Sequence, residues 1–241
     1  MMLADRKAAG KQLAARLLDY AGHDNVLVLG IPRGGVPVAF QIASRLDLPL
    51  DIFLSRKLGV PAHEELAFGA IATGDGRYLD QTIVQKAGLS PVQVEEVTQR
   101  VQKILSERAA LYRSEQARLN VTGKTVLLVD DGIATGASVY AAILALRQMK
   151  PAKMVVAAPV VAASTRAWLQ KEVDALVYLL SPKDFQAVGQ FYTDFEQTTD
   201  REVIALLAES RQHAKSGISA MCHQSLYASD ICESDDRHDV R

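Results

Sequence analysis

Four consecutive apolar residues, Val126-Leu127-Leu128-Val129, run directly into two acids, Asp130-Asp131, and then into the small-residue stretch Gly132-Ile133-Ala134-Thr135-Gly136-Ala137-Ser138. A short, unbroken apolar run reads as a strand covered on both faces, the central position of a parallel sheet. In such sheets ligands bind outside the carboxyl ends of the strands, which is where the two acids fall. The loop from Gly132 to Ser138 offers successive backbone N–H groups, two hydroxyls and a helix N-terminus to a single anion, an arrangement suited to a phosphate monoester. Two carboxylates beside that cradle would repel a polyanion unless they accept hydrogen bonds from vicinal sugar hydroxyls or act with a divalent cation. The combination asks for a ribose 5-phosphate.

The remainder of the chain supplies the scaffold that such a strand requires. Short β-branched runs alternate with amphipathic stretches, the pattern of parallel strands joined by crossover helices. Helices are expected over 8–18, 38–46, 91–118, 139–146, 165–171 and 200–211. Strands are expected over 26–29, 51–54, 126–129, 154–158 and 175–180, with a hairpin formed by 66–72 and 77–79 around Gly74-Asp75-Gly76. Ser90-Pro91 marks an N-cap followed by proline at the first helical position. Thr199-Asp200-Arg201-Glu202 has capping-box spacing. The expected fold is α/β: an open, mainly parallel twisted sheet with helices on both faces, plus a small hood and hairpin region. One domain spans 1–215, with hood elements near 1–25 and 181–212 and a lid or hairpin near 57–80. Residues 216–241 lose all periodicity and read as a disordered tail.

Composition narrows the partners. The chain has 27 basic and 28 acidic residues, a formal net charge of −1, which does not favour a protein that holds nucleic acid by its phosphates. Its two cysteines, Cys222 and Cys232, form no disulfide framework, and a cytoplasmic setting is expected. The N-terminus shows no apolar signal-peptide core, and the apolar run from Met154 to Ala163 is far short of the ~20 residues a membrane helix needs.

The thirteen residues from Val126 to Ser138 resemble the PRPP-binding motif of the type I phosphoribosyltransferases. The turn Gly30-Ile31-Pro32-Arg33-Gly34-Gly35 resembles that family's pyrophosphate loop, and Ser55-Arg56-Lys57 falls where the family commonly carries a basic residue near the pyrophosphate. The segment Phe185 to Phe195 is weakly similar to the hood of the purine enzymes. More closely, the chain resembles a bacterial group of predicted phosphoribosyltransferases without an assigned acceptor. The resemblance implies a Mg²⁺-dependent transfer of the 5-phosphoribosyl group of PRPP to a nitrogenous base or related nucleophile, with release of pyrophosphate. Asp130, Asp131 and Lys57 would then be the catalytic candidates, the two acids holding the ribose hydroxyls. Gly132, Ile133, Ala134, Thr135, Gly136, Ala137 and Ser138 would hold the 5-phosphate. Arg33, Gly34 and Gly35 would face the pyrophosphate, and the Pro32–Arg33 peptide would be cis. Mg²⁺ would be held mainly through PRPP, with Asp130 and Asp131 nearby and Asp194 touching its water shell. Phe185 and Val188 would contact the acceptor.

The purine enzymes usually carry a lysine in the strand after the motif's helix. Here that strand reads Met154-Val155-Val156-Ala157-Ala158-Pro159, with Lys153 only at its start, so a 6-oxopurine acceptor is not implied. Partners are thus PRPP and a small-molecule acceptor, with a homodimer as a possible assembly. The alternative activity is a PRPP- or nucleotide-sensing regulator with the same fold and little turnover. Three lures are set aside. Gly123-Lys124-Thr125 lacks the first glycine of a P-loop and precedes its strand. Asn120-Val121-Thr122 is a sequon with no secretory context. His213, Cys222, His223, Cys232 and His238 have no compact zinc spacing.

Overall fold

A computed structural model describes residues 2–73, 76–112 and 119–212. Two sheets organise the chain. The larger has five parallel strands in the order β2-β1-β6-β7-β8, formed by β1 (Val26–Gly30), β2 (Leu50–Ile52), β6 (Thr125–Val129), β7 (Lys153–Val160) and β8 (Ala175–Leu180). The smaller is antiparallel, in the order β3-β4-β5, from β3 (Ser55–Val60), β4 (His63–Ala72) and β5 (Arg77–Leu79). The fold is therefore α/β with a parallel sheet and a separate small antiparallel sheet.

The central position of β6 follows from its composition. It pairs with β1 from Val26↔Thr125 to Gly30↔Val129 and with β7 from Thr125↔Lys153 to Val129↔Ala157. Because successive side chains point to opposite faces, Leu127 and Val129 enter one core layer while Val126 and Leu128 enter the other. The first layer is closed by α1 (Arg6–Ala14), α2 (Gly35–Leu46) and a helix over 200–212 (α7). The second is closed by α5 (Ala137–Gln148) and α6 (Ala163–Glu172).

Helix boundaries follow their caps. The sequence pattern predicts a first helix over 8–18, but α1 begins at Arg6 because the Asp5 carboxylate accepts a hydrogen bond from the Ala8 N–H at 2.6 Å. It loosens after Ala14 into tighter bonds from Arg16 N–H to Leu13 O and from Leu17 N–H to Ala14 O. Ser90 caps α4 (Pro91–Tyr112) in reciprocal fashion. Its hydroxyl accepts from Gln93 N–H at 3.3 Å, and the Gln93 side chain accepts from Ser90 N–H at 2.9 Å. The Thr199 hydroxyl accepts from Glu202 N–H at 3.1 Å and opens α7. The expected continuation of α4 to Arg118, the turn residues Gly74 and Asp75, and the segment 213–241 with its cysteines and histidines lie outside the described residues.

One region departs from the sequence reading. The second strand, expected over 51–54, ends at Ile52, and the polar run Ser55–Val60 forms an edge strand that the pattern did not mark. Phe53 and Leu54 are buried at the crossing between the sheets, where Phe53 N–H donates to Gly30 O and Thr73 N–H donates to Leu54 O. The region near 57–80, expected as a lid or hairpin, carries most of β3 together with β4 and β5. Their apolar faces, including Leu58, Val60, Phe68 and Ile71, pack on Val94, Val97 and Val101 of α4. Among the described residues no helix is long and apolar enough to cross a membrane.

Since Leu127 is fully buried on the middle strand, Leu127→Ala removes most of a core side chain where the flanking strands cannot collapse inward. Urea denaturation should show a loss of about 2–5 kcal/mol.

Candidate functional site

At the end of β6 the backbone keeps strand-like pairing for a few residues before turning. Asp130 N–H donates to Ala157 O at 3.2 Å, Ile133 N–H to Val160 O at 2.8 Å, and Ala162 N–H to Ile133 O at 2.9 Å. The Thr165 hydroxyl donates to Ala134 O. These bonds fasten the start of the loop to β7 and α6. The loop then turns at Gly136, whose φ of +76° suits glycine. A side chain there would also strike Trp168, since its Cβ would lie 2.6 Å from the ring.

What the loop presents is mostly unused donor capacity. Among the described residues the amides of Gly132, Ala134, Thr135 and Gly136 have no protein acceptor. The Thr135 hydroxyl accepts a long bond of 3.4 Å from Ala137 N–H at the start of α5. Asp130, Gly132 to Val139 and Val188 enclose a cavity of about 160 Å³, open to solvent. Ala137, Ser138 and Val139, the first turn of α5, line it, and the positive end of a helix biases a cavity toward an anion.

The two acids have different surroundings. Desolvation, followed by the charge of Asp131, pushes the Asp130 carboxyl well above the usual carboxylate range; the bond from Asp131 N–H to Asp130 Oδ1 at 2.9 Å only partly offsets this. Asp131 is paired. Arg6 Nε donates to its Oδ2 at 2.8 Å, both side chains being largely buried, and the Tyr192 hydroxyl donates to its backbone oxygen at 2.6 Å. Burial, then the Asp131 charge, pushes the Tyr192 phenol far up, so it remains a donor.

The glycine turn after β1 lies against these acids. Its Pro32–Arg33 peptide is cis, as the resemblance implies. Gly34 approaches Asp131 so closely that a Cβ there would stand 1.9 Å from Oδ2. The Arg33 side chain turns toward α7, with NH1 3.9 Å from Asp200 Oδ2; Asp200 in turn accepts a hydrogen bond from the Tyr112 hydroxyl at the end of α4.

The remaining candidates divide. Val188 packs on the 132–138 loop, its methyls occupying the place a Cβ on Gly132 would take. Phe185 stacks on Phe191 with ring centroids 5.0 Å apart, and both join Leu3, Val160, Tyr192 and Phe195 in a small apolar cluster. Lys57 does not line the cavity at the loop. It stands in a neighbouring cleft between β3, Tyr78 and the Ala137–Leu144 face of α5. Asp194 also lies elsewhere, in a polar cavity with Asp5, Arg6 and Glu196, where its Oδ1 accepts from Glu196 N–H at 3.2 Å. Sequence reasoning missed Arg6 and the bond of Tyr192 to Asp131. The Asp5 N-cap could have placed Arg6 at a helix start, but nothing nearby in sequence names its partner.

The comparisons with known proteins agree with this geometry. The family model described as phosphoribosyl transferase domain matches residues 2–196. Two Mycobacterium tuberculosis proteins, "Putative phosphoribosyl transferase Rv0571c" of strain H37Rv and "Putative phosphoribosyl transferase MT0597" of strain CDC 1551, are each 42% identical over 214 residues, 88% of this chain. That match covers 48% of each relative, so the chain spans about half their length. The crystal structure of TT1426 from Thermus thermophilus is 39% identical and superposes with a TM-score of 0.79, covering 87% of this chain and 99% of that one.

The raised pKa of Asp130 makes its ionisation oppose folding. The stability it contributes is complete below the unfolded carboxylate value of about 4 and is lost as pH rises through the higher folded value. Asp130→Asn, which keeps the acceptor for Asp131 N–H, should therefore unfold at a higher urea concentration than the wild type at pH 7–8. The difference should shrink as pH falls toward 4.

Proposed function

Because this chain belongs to the phosphoribosyl transferase domain family, we propose that it transfers the 5-phosphoribosyl group of PRPP to a small nitrogenous base or related nucleophile and releases pyrophosphate. The single observation that carries this reading is the pairing of free amides and carboxylates at one strand end: four loop amides without protein acceptors beside Asp130 and Asp131. A bare anion needs only the amides; a sugar phosphate also needs acceptors for its hydroxyls.

In this reading the 5-phosphate lies on the loop 132–138, with Thr135 and Ser138 adding side-chain donors. Asp130 and Asp131 accept from the ribose 2- and 3-hydroxyls and favour positive charge on the sugar. The glycine turn, through the amides of Arg33, Gly34 and Gly35, faces the leaving group. The nucleophile attacks C1 as the bond from C1 to the pyrophosphate oxygen breaks, and pyrophosphate departs with the electron pair. The transition state is oxocarbenium-like, so positioning and charge complementarity supply the acceleration. Lys57 lines a neighbouring cleft that shares Ala137 with the loop cavity, and its ammonium would favour the anionic leaving group.

Among the described residues no group of three or more His, Cys, Asp or Glu side chains could form a protein cage for a metal. The residues present fit a Mg²⁺ that would be held mainly through PRPP, with Asp130 and Asp131 nearby. Bound there, Mg²⁺ would neutralise charge on the leaving group. The acceptor would approach from the side of Val188 and Phe185. A cytoplasmic, PRPP-containing compartment is the setting this reaction requires.

Incubation with PRPP, Mg²⁺ and a panel of bases tests the proposal. Pyrophosphate release with one base, abolished in Asp130→Asn/Asp131→Asn, supports it; tight PRPP binding with no release across a broad panel favours a sensor. Thr135→Val strips a donor from a charged acceptor and should weaken PRPP binding about tenfold by calorimetry. Unchanged affinity contradicts that role for Thr135.

A further inference from the structure

The two acids at the end of β6 are chemically alike and differently held. Asp130 lines the cavity of the 132–138 loop, and among the described residues no arginine or lysine forms an ion pair with it. Asp131 is outside the lining of that cavity and is gripped from the N-terminal side of the molecule. Arg6 donates to Oδ2 through Nε at 2.8 Å and to Glu196 O through NH1 at 2.6 Å, while its guanidinium lies 3.8 Å from the centre of the Phe195 ring. A planar cation held on three sides in this way is oriented, not merely nearby.

The setting of Arg6 is itself built. It is the first residue of α1, which Asp5 caps, and the chain before it is tied to the hood. Leu3 N–H donates to Phe191 O, Thr193 N–H to Leu3 O and Asp194 N–H to Ala4 O. Tyr192, from the same hood, bonds the Asp131 backbone oxygen. The hood thus holds one acidic residue of the strand end by both its side chain and its main chain.

Resting on the phosphoribosyl reading above, we propose that Arg6 is a positioning residue that acts through Asp131. It offsets one of two adjacent negative charges where a sugar carrying several phosphate charges must approach. It also fixes the orientation of the Asp131 carboxylate. A carboxylate has about four lone-pair sites, so one guanidinium nitrogen leaves others for a ribose hydroxyl. Without Arg6 no side-chain cation in contact with either acid among the described residues would offset their charge. Lysine restores charge at this place but not a flat group that donates to Asp131 while lying on Phe195.

The test is PRPP binding by calorimetry with Mg²⁺, comparing the wild type with Arg6→Ala, Arg6→Gln and Arg6→Lys. Circular dichroism and thermal unfolding of each variant accompany the titrations. Arg6→Ala and Arg6→Gln should bind about tenfold or more weakly, the scale of one lost charge-assisted hydrogen bond, and Arg6→Lys should recover only part of the difference. Millimolar methylguanidinium should restore binding to Arg6→Ala and leave the wild type unchanged, a rescue that a merely structural contact would not give. Should Arg6→Ala fail to fold, Arg6→Gln carries the same expectation. Wild-type affinity in a folded Arg6→Ala or Arg6→Gln variant overturns the role of Arg6 and leaves the phosphoribosyl reading standing. Absence of PRPP binding by the wild type overturns both.

Discussion

A carboxylate is stable in a protein only when water, a cation or a hydrogen-bond donor replaces what burial removes. At the end of β6 two carboxylates are placed side by side by a strand whose neighbours on both sides are fixed in register. Asp130 is left short of such compensation, and its carboxyl is pushed up accordingly; Asp131 is compensated by Arg6. The rest of the site is arranged around this inequality. The glycine turn after β1 comes close enough to touch Asp131, the hood reaches across to bond it, and the loop after Gly132 turns its free amides outward. A ligand that offers hydroxyl donors to the acids and an anion to the amides satisfies both needs at once.

This arrangement links the two ends of the matched region. Leu3 and Ala4 pair with residues 191–194, so the hood closes on itself before it touches the strand end. The aromatic residues of the segment 185–195 serve that closure first. Phe185, Phe191 and Phe195 share a small apolar cluster with Leu3 and Tyr192, while Val188 packs against Gly132 of the loop. Across the site, the chain Tyr112–Asp200–Arg33 ties the glycine turn to α4 and α7, elements outside the central sheet.

Much of this was legible in the sequence because the strongest signals are contiguous. Val126 to Ser138 holds strand, acids, loop and helix start in thirteen residues, and local geometry alone makes them one site. The parallel sheet was equally legible, since its strands are short apolar runs separated by amphipathic helices. The edge strand β3 was not. Ser55-Arg56-Lys57 is polar and exposed on an edge, and only Leu58 and Val60 face the small core. Lys57 is a candidate only through the resemblance of its segment to the family's basic position, and its strand pairing sets it in the cleft with Tyr78 and Tyr140. Arg6 was invisible for a different reason. Its partner lies 125 residues away, and only the closure of the hood brings the two together.

The most direct test of the central claim is an amide-resolved titration of the isotope-labelled protein with PRPP and Mg²⁺. The account predicts that the largest shifts fall on Gly132 to Ser138, with a second set on Arg33 to Gly35 and on the Arg6 side chain. Saturable binding that shifts residues elsewhere and leaves the amides of 132–138 unmoved would contradict it.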